Sequence, residues 1–274
     1  MKDIVAYVPN YTEWSPAIAV AASLAASLEG ALTGVHVCAP PLVAMPSYEA
    51  PEVVAAIVEN TRQQEDMAYA VRARFEAWAM QRGVRTARWQ VAEGFVPEVL
   101  EHLGHWHDAL VIDRDANPLW GPPPALGRVI LSAQIPCIVL PPAADAVLKL
   151  DCIAVAWNGS PEAIRTVHSA LALISRAKRV VVLEGSARPA FAEMGWKPQF
   201  DLHHYLENHG IHAERRPIPD DVDAGSALLE SASDINADLL VMGAYGRTRF
   251  SEWVLGGATR HVLNHATVPV LMRH

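Results

Sequence analysis

At roughly 150 residues per domain, a chain of 274 residues has room for about two domains or for one large α/β unit. Its composition, 51% hydrophobic, 19% charged and 7% aromatic, is that of a chain that buries a sizeable core, which excludes a disordered class. With 30 acidic and 22 basic side chains the net charge is −8, so no long-range attraction to nucleic acid or to an anionic membrane surface is expected.

The opening run Ile4–Val8 is apolar and strand-like but is broken at Pro9, too short and too early to serve as a signal sequence. The apolar helical stretch from Ala17 to Leu28 contains Ser23 and Ser27 and stops at Glu29-Gly30, short of the ~20 residues a bilayer crossing needs. Cys38, Cys137 and Cys152 lie far apart with no CxxC spacing, which argues against a disulfide framework or a thiolate metal site and points to a reducing cytoplasm. Further strand-like runs follow at Val35–Val37, Asp108–Ile112 and Ile135–Val139, the last introduced through Pro136. Pro141-Pro142-Ala143-Ala144-Asp145 reads as a linker, because two prolines cannot continue a central strand. The boundary is placed there, giving domains 1–145 and 146–274.

Beyond the linker the pattern starts again. Asp3–Asn10 lies over Asp151–Asn158, Pro16 over Pro161, Leu28 over Leu173 and Val35–Val37 over Val180–Val182. Gly83-Val84 matches Gly210-Ile211, Asp108–Ile112 matches Asp238–Met242, and Ile135–Val139 matches Val268–Leu271. Apolar runs alternating with amphipathic helices predict βαβ units on parallel sheets covered on both faces. Ser160-Pro161-Glu162 supplies an N-cap, a proline at the first helical position and an acidic first turn for a helix running through Leu173.

The richest stretch is Asp238–Gly246 followed, after nine residues, by Gly256-Gly257-Ala258-Thr259. Glycines at a strand end allow close backbone approach, and Gly256-Gly257 would leave bare N–H groups at a helix N-terminus, where a phosphate is favoured. The pattern is neither a Walker A loop nor a dinucleotide GxGxxG.

Gly243-x2-Gly246-x9-Gly256 at the end of a fourth-strand run, with Val-Pro-Val-Leu closing the chain, resembles the universal stress protein family, and the whole chain resembles a tandem bacterial member. The resemblance implies two flavodoxin-like (Rossmann-like) α/β domains, each a five-stranded parallel sheet flanked by helices, with ATP or AMP, with or without Mg2+, between the ends of the first and fourth strands. It places Ala156, Trp157 and Asn158 at the adenine and ribose, with Asn158 standing where nucleotide-binding members carry Asp. Val182 or Leu183 falls on the second-strand contact to adenine, Val182 being the residue assigned. Met242, Gly243 and Gly246 match the fourth-strand contacts, and Gly256, Gly257, Ala258 and Thr259 match the phosphate loop. Arg247 lies where it can reach a terminal phosphate. The family prefers Ser or Thr after the third glycine; Gly257 lacks that hydroxyl, a loss of about 0.5–1.5 kcal/mol, or up to about tenfold in affinity.

In the first copy Asp113 and Ala116 replace the first two glycines, and Gly121-Pro122-Pro123-Pro124 replaces the loop. Prolines remove donors and the carboxylate of Asp113 repels phosphate, so the N-terminal site is expected to be dead and to survive as a packing partner in an intramolecular pseudo-dimer. Strands near Ile138–Leu140 and Val270–Met272 would face each other and cover two sheet edges, with room for a further homodimer.

Three histidine groups invite a metal: His102/His105/His107, His203/His204 and His261/His265. Each lacks a clear further ligand and is read as solvated or capping. The acidic run at 219–223 is read as a solvated loop. No catalytic residue is assigned, because no general base or metal carboxylate is recognisable, so ATP hydrolysis is expected to be slow or absent. The leading expectation is a cytoplasmic stress-response protein that binds adenine nucleotide in its C-terminal half and changes conformation or partner; the alternative is a nucleotide-independent interaction module.

Overall fold

The computed structural model describes residues 1–40, 50–114, 124–142, 144–185, 201–219, 223–244 and 257–274. The first half runs β1 (Asp3–Tyr7), α1 (Pro16–Ser27), β2 (Ala31–Cys38), α2 (Pro51–Ala70), α3 (Arg72–Gln81), β3 (Thr86–Glu93), α4 (Val96–Gly104), β4 (Ala109–Asp113), α5 (Pro124–Ser132) and β5 (Cys137–Leu140). The second runs β6 (Cys152–Trp157), α6 (Pro161–Ile174), β7 (Arg179–Glu184), α7 (Leu202–Asn208), β8 (Ala213–Pro217), α8 (Ala224–Asp234), β9 (Leu239–Gly243), α9 (Gly257–His265) and β10 (Val270–Arg273).

Within each half the strands pair in parallel, joined by helical crossovers, in the order third, second, first, fourth, fifth. The inner strands are rich in Val, Ile, Leu and Ala, whereas the edge strands β3 and β8 carry charged and polar residues. Both faces of the inner strands are therefore apolar, as a sheet covered by helices on both sides requires. Residues of alternate parity feed two core clusters. One lies beneath α1, α3, α6 and α7, the other beneath α4, α5, α8 and α9.

The halves join edge to edge. β5 and β10 pair antiparallel, with Val139 opposite Val270 and Ile138 opposite Leu271, making one ten-stranded sheet. Two charged side chains cross the same seam. Arg114 Nη1 donates to the carbonyl of Ala266 at 2.9 Å and Arg176 Nη1 to that of Ser27 at 2.7 Å.

The register of the two halves differs from the sequence superposition by one residue in the first strand. Asp108 donates its amide to the carbonyl of Asp3, whereas the matching Asp238 donates to Cys152. Ile4 sits beside Ala109 as Ile153 sits beside Leu239. Asp3 thus corresponds to Cys152 rather than to Asp151, and Val35 corresponds to Leu183 rather than to Val180. Matching aspartates and terminal asparagines favoured the slipped alignment, but a one-residue slip would exchange the two faces of the strand.

Candidate functional site

The end of β6 passes through Asn158-Gly159-Ser160 into α6. Asn158 Oδ1 accepts the Ser160 amide at 3.0 Å, closing an Asx turn, and Ser160 Oγ then accepts the Ala163 amide at 3.2 Å as the N-cap. A cap of this kind stabilises a helix by about 1 kcal/mol. Pro161 takes the first position, and Glu162 brings a carboxylate into the first turn. β9 ends beside this turn at Gly243. A Cβ there would lie 2.6 Å from the Ala163 nitrogen and 2.8 Å from the Glu162 carbonyl carbon. Glycine at 243 is therefore demanded by the approach of α6 to the strand end, a requirement of the protein's own packing.

These strand ends, with α8 and α9, enclose a cavity of about 390 Å³. Leu183, Ile218, Leu228 and Met242 form its apolar wall; Asn158, Ser160 and Glu162 form a polar one; Gly257, Ala258 and Thr259, the first turn of α9, form a third. A Cβ on Gly257 would meet nothing within 4 Å, and Thr259 is buried. The N-terminus of α8 lies tight against α9, since a Cβ on Gly225 would come 2.6 Å from that of His261.

Of the residues expected at this site, Ala156, Trp157, Asn158, Met242, Gly243, Gly257, Ala258 and Thr259 all line the cavity. Val182 does not. It is fully buried in the core beneath α6 and α7, and its neighbour Leu183 takes the lining position, because successive strand residues face opposite sides of the sheet. Gly246, Arg247 and Gly256 lie outside the described residues. In the sequence Glu162 shows only as an acidic partner for the helix dipole. Glu162 lines the cavity at 6% exposure, and among the described residues its Oε2 has no hydrogen-bond partner. The Arg165 guanidinium lies 3.8 Å from the other oxygen.

The equivalent place in the first half is built differently. Asp113, which stands where Gly243 does, turns its carboxylate onto the N-terminus of α1. It accepts the Ala17 amide at 3.1 Å and also the Ser15 hydroxyl. Ala116 and residues 121–123 lie outside the described residues.

Among the described residues no three His, Cys, Asp or Glu side chains are grouped so as to hold a metal ion. His107 lies between the Leu103 carbonyl and the Thr33 hydroxyl, and His203 Nε2 lies 3.1 Å from Glu184. His265 closes α9 with its ring stacked on His261, centroids 4.3 Å apart. Asp223, from the acidic run, caps α8; the Ser226 amide at 3.0 Å is the main reason its carboxyl is held below the usual range. Residues 220–222 are not among those described. No helix among the described residues is long and apolar enough to cross a membrane.

Residues 150–274 match the sequence model of the universal stress protein family. This half of the chain is therefore similar to the universal stress protein family. Among curated relatives, the universal stress protein Slr1230 of Synechocystis is 25% identical over 200 residues, which is 70% of this chain and 66% of that protein. Among solved structures, a universal stress protein from Archaeoglobus fulgidus superposes with a TM-score of 0.67 at 12% identity, covering 98% of this chain and 95% of its own. That likeness establishes the α/β fold over both halves, the first included, where the family's sequence model does not reach. The cavity's described lining residues all fall within residues 150–274, at the carboxyl ends of the strands where open α/β sheets hold ligands.

Proposed function

We propose that this chain binds one adenine nucleotide, ATP or AMP, in the C-terminal cavity, with its phosphates at the first turn of α9. The observation that carries the reading is the cavity's construction. Its volume of about 390 Å³ falls in the range of small-molecule sites, and it joins an apolar wall that suits a flat base to a helix N-terminus that suits an anion. The match of Gly243, Gly246 and Gly256 to the family's nucleotide pattern supports the same ligand, with Mg2+ as a companion of the phosphates. Chain division at 1–145 and 146–274 agrees with a β5-to-β10 seam, and the first half then acts as an intramolecular partner in a pseudo-dimer. Asp113 over the start of α1 supports the reading that this first half holds no nucleotide.

The output is a change of conformation or partner in a cytoplasmic stress response, with the nucleotide as a mark of state and turnover slow or absent. The test is isothermal titration of protein stripped of ligand, with ATP, AMP and GTP, with and without Mg2+. About one adenine nucleotide per chain supports the reading. No heat up to millimolar ligand overturns it and favours a nucleotide-independent interaction module.

A further inference from the structure

The cavity's polar wall has used up most of its own acceptors. Asn158 Oδ1 is spent on the Ser160 amide, and Ser160 Oγ on the Ala163 amide. Glu162 Oε2 remains buried, with no donor among the described residues. A buried carboxylate oxygen left bare is costly, and the cost is recovered only when a ligand brings a hydrogen to it. The remaining walls divide a nucleotide's other parts between them. Leu183, Ile218 and Leu228 offer apolar contact, while the first turn of α9 offers the positive end of a helix dipole to an anion. A carboxylate repels phosphate and gains nothing from the face of a base, so the part that suits it is the sugar, whose hydroxyls donate.

We infer that Glu162 is the sugar-reading residue of this cavity, accepting a hydrogen bond from a ribose hydroxyl and so discriminating against a nucleotide whose sugar lacks it. In the first half Ala17 occupies the matching helical position, and Asp113 has turned onto the helix. This inference rests on the nucleotide reading of the cavity.

The experiment is a thermodynamic cycle. Binding of AMP, 2′-deoxy-AMP and 3′-deoxy-AMP is measured on the full chain and on Glu162→Ala and Glu162→Gln, each checked for a native circular dichroism spectrum and a cooperative melt. In the wild type, removing the hydroxyl that Glu162 holds is expected to weaken binding about tenfold. In Glu162→Ala the same deletion is expected to change binding less than about twofold, and Glu162→Gln, which keeps an acceptor oxygen, recovers part of the discrimination. A deoxy penalty of equal size in wild type and Glu162→Ala, or no deoxy penalty in the wild type, overturns the sugar-reading role while leaving nucleotide binding intact. Absence of AMP binding by the wild type overturns both readings together.

Discussion

Asp113 accepts the amide of Ala17 at 3.1 Å, at the place where Gly243 in the other half stands bare against the first turn of its helix. The two halves share a strand order but resolve the same helix N-terminus differently. In the first a strand carboxylate caps it; in the second Ser160 caps it and the strand contributes no side chain. Replacing Asp113 by Ala removes that cap and is expected to cost about 1–2 kcal/mol in chemical denaturation. Nucleotide stoichiometry should stay at about one per chain; a rise to two would show that Asp113 alone had blocked the first half.

Gly243 and Gly257 line one cavity but answer to different constraints. Gly243→Ala drives a Cβ into the backbone of α6 and should lower stability by about 1–3 kcal/mol, read as a fall in melting temperature. Gly257 faces open space. Gly257→Ser should fold normally and, by restoring the hydroxyl the family pattern carries, tighten ATP binding by up to about tenfold in titration.

Glu162 carries a local penalty for as long as its Oε2 meets no donor. Glu162→Ala removes a carboxylate with an unsatisfied oxygen but also an acidic side chain favourable at a helix start, the first effect being about 1–3 kcal/mol and the second under about 1. The ligand-free variant is therefore expected to be more stable by about 1 kcal/mol, a rise of roughly 3 °C in melting temperature. A variant less stable than wild type would mean that the carboxylate is satisfied in solution.

Asp108 ties the start of β1 to β4. Its partial burial pushes the carboxyl up, but the amides of Lys2 and Asp3, with the nearby terminal ammonium and His107, outweigh it and hold it below the usual carboxylate range. A group depressed on folding contributes stability above its unfolded pKa of about 3.9, and that stability is lost as pH falls through the lower folded value. Asp108→Asn should therefore be less stable than wild type near neutrality and should narrow that gap as the pH is taken from about 5 toward 2. Parallel denaturation curves across that range measure it.

Much of this was written in the sequence because it depends on local spacing. Ser160-Pro161 announced α6, predicted through Leu173 and observed to Ile174, and the apolar runs announced the parallel strands. The proline before Cys137 marked the last strand of the first half. What stayed hidden depended on direction and register. Val182 and Leu183 are both apolar, and only the pleat decides which one faces the cavity. Gly243 reads as a ligand contact until the closeness of α6 is seen. Glu162 reads as a dipole partner because a sequence cannot show that its carboxylate turns inward without a donor. Asp113 was legible as a negative charge, not as a helix cap.

The antiparallel join of β5 to β10 has a consequence for how the molecule obeys mass action. When two separate chains pair sheet edges, the pairing is lost on dilution. Here both edges belong to one polypeptide, so each meets its partner at an effective concentration on the order of millimolar however few copies are present. The joined sheet, and with it the Arg114 clamp on the end of α9, is therefore as complete in a scarce protein as in an abundant one.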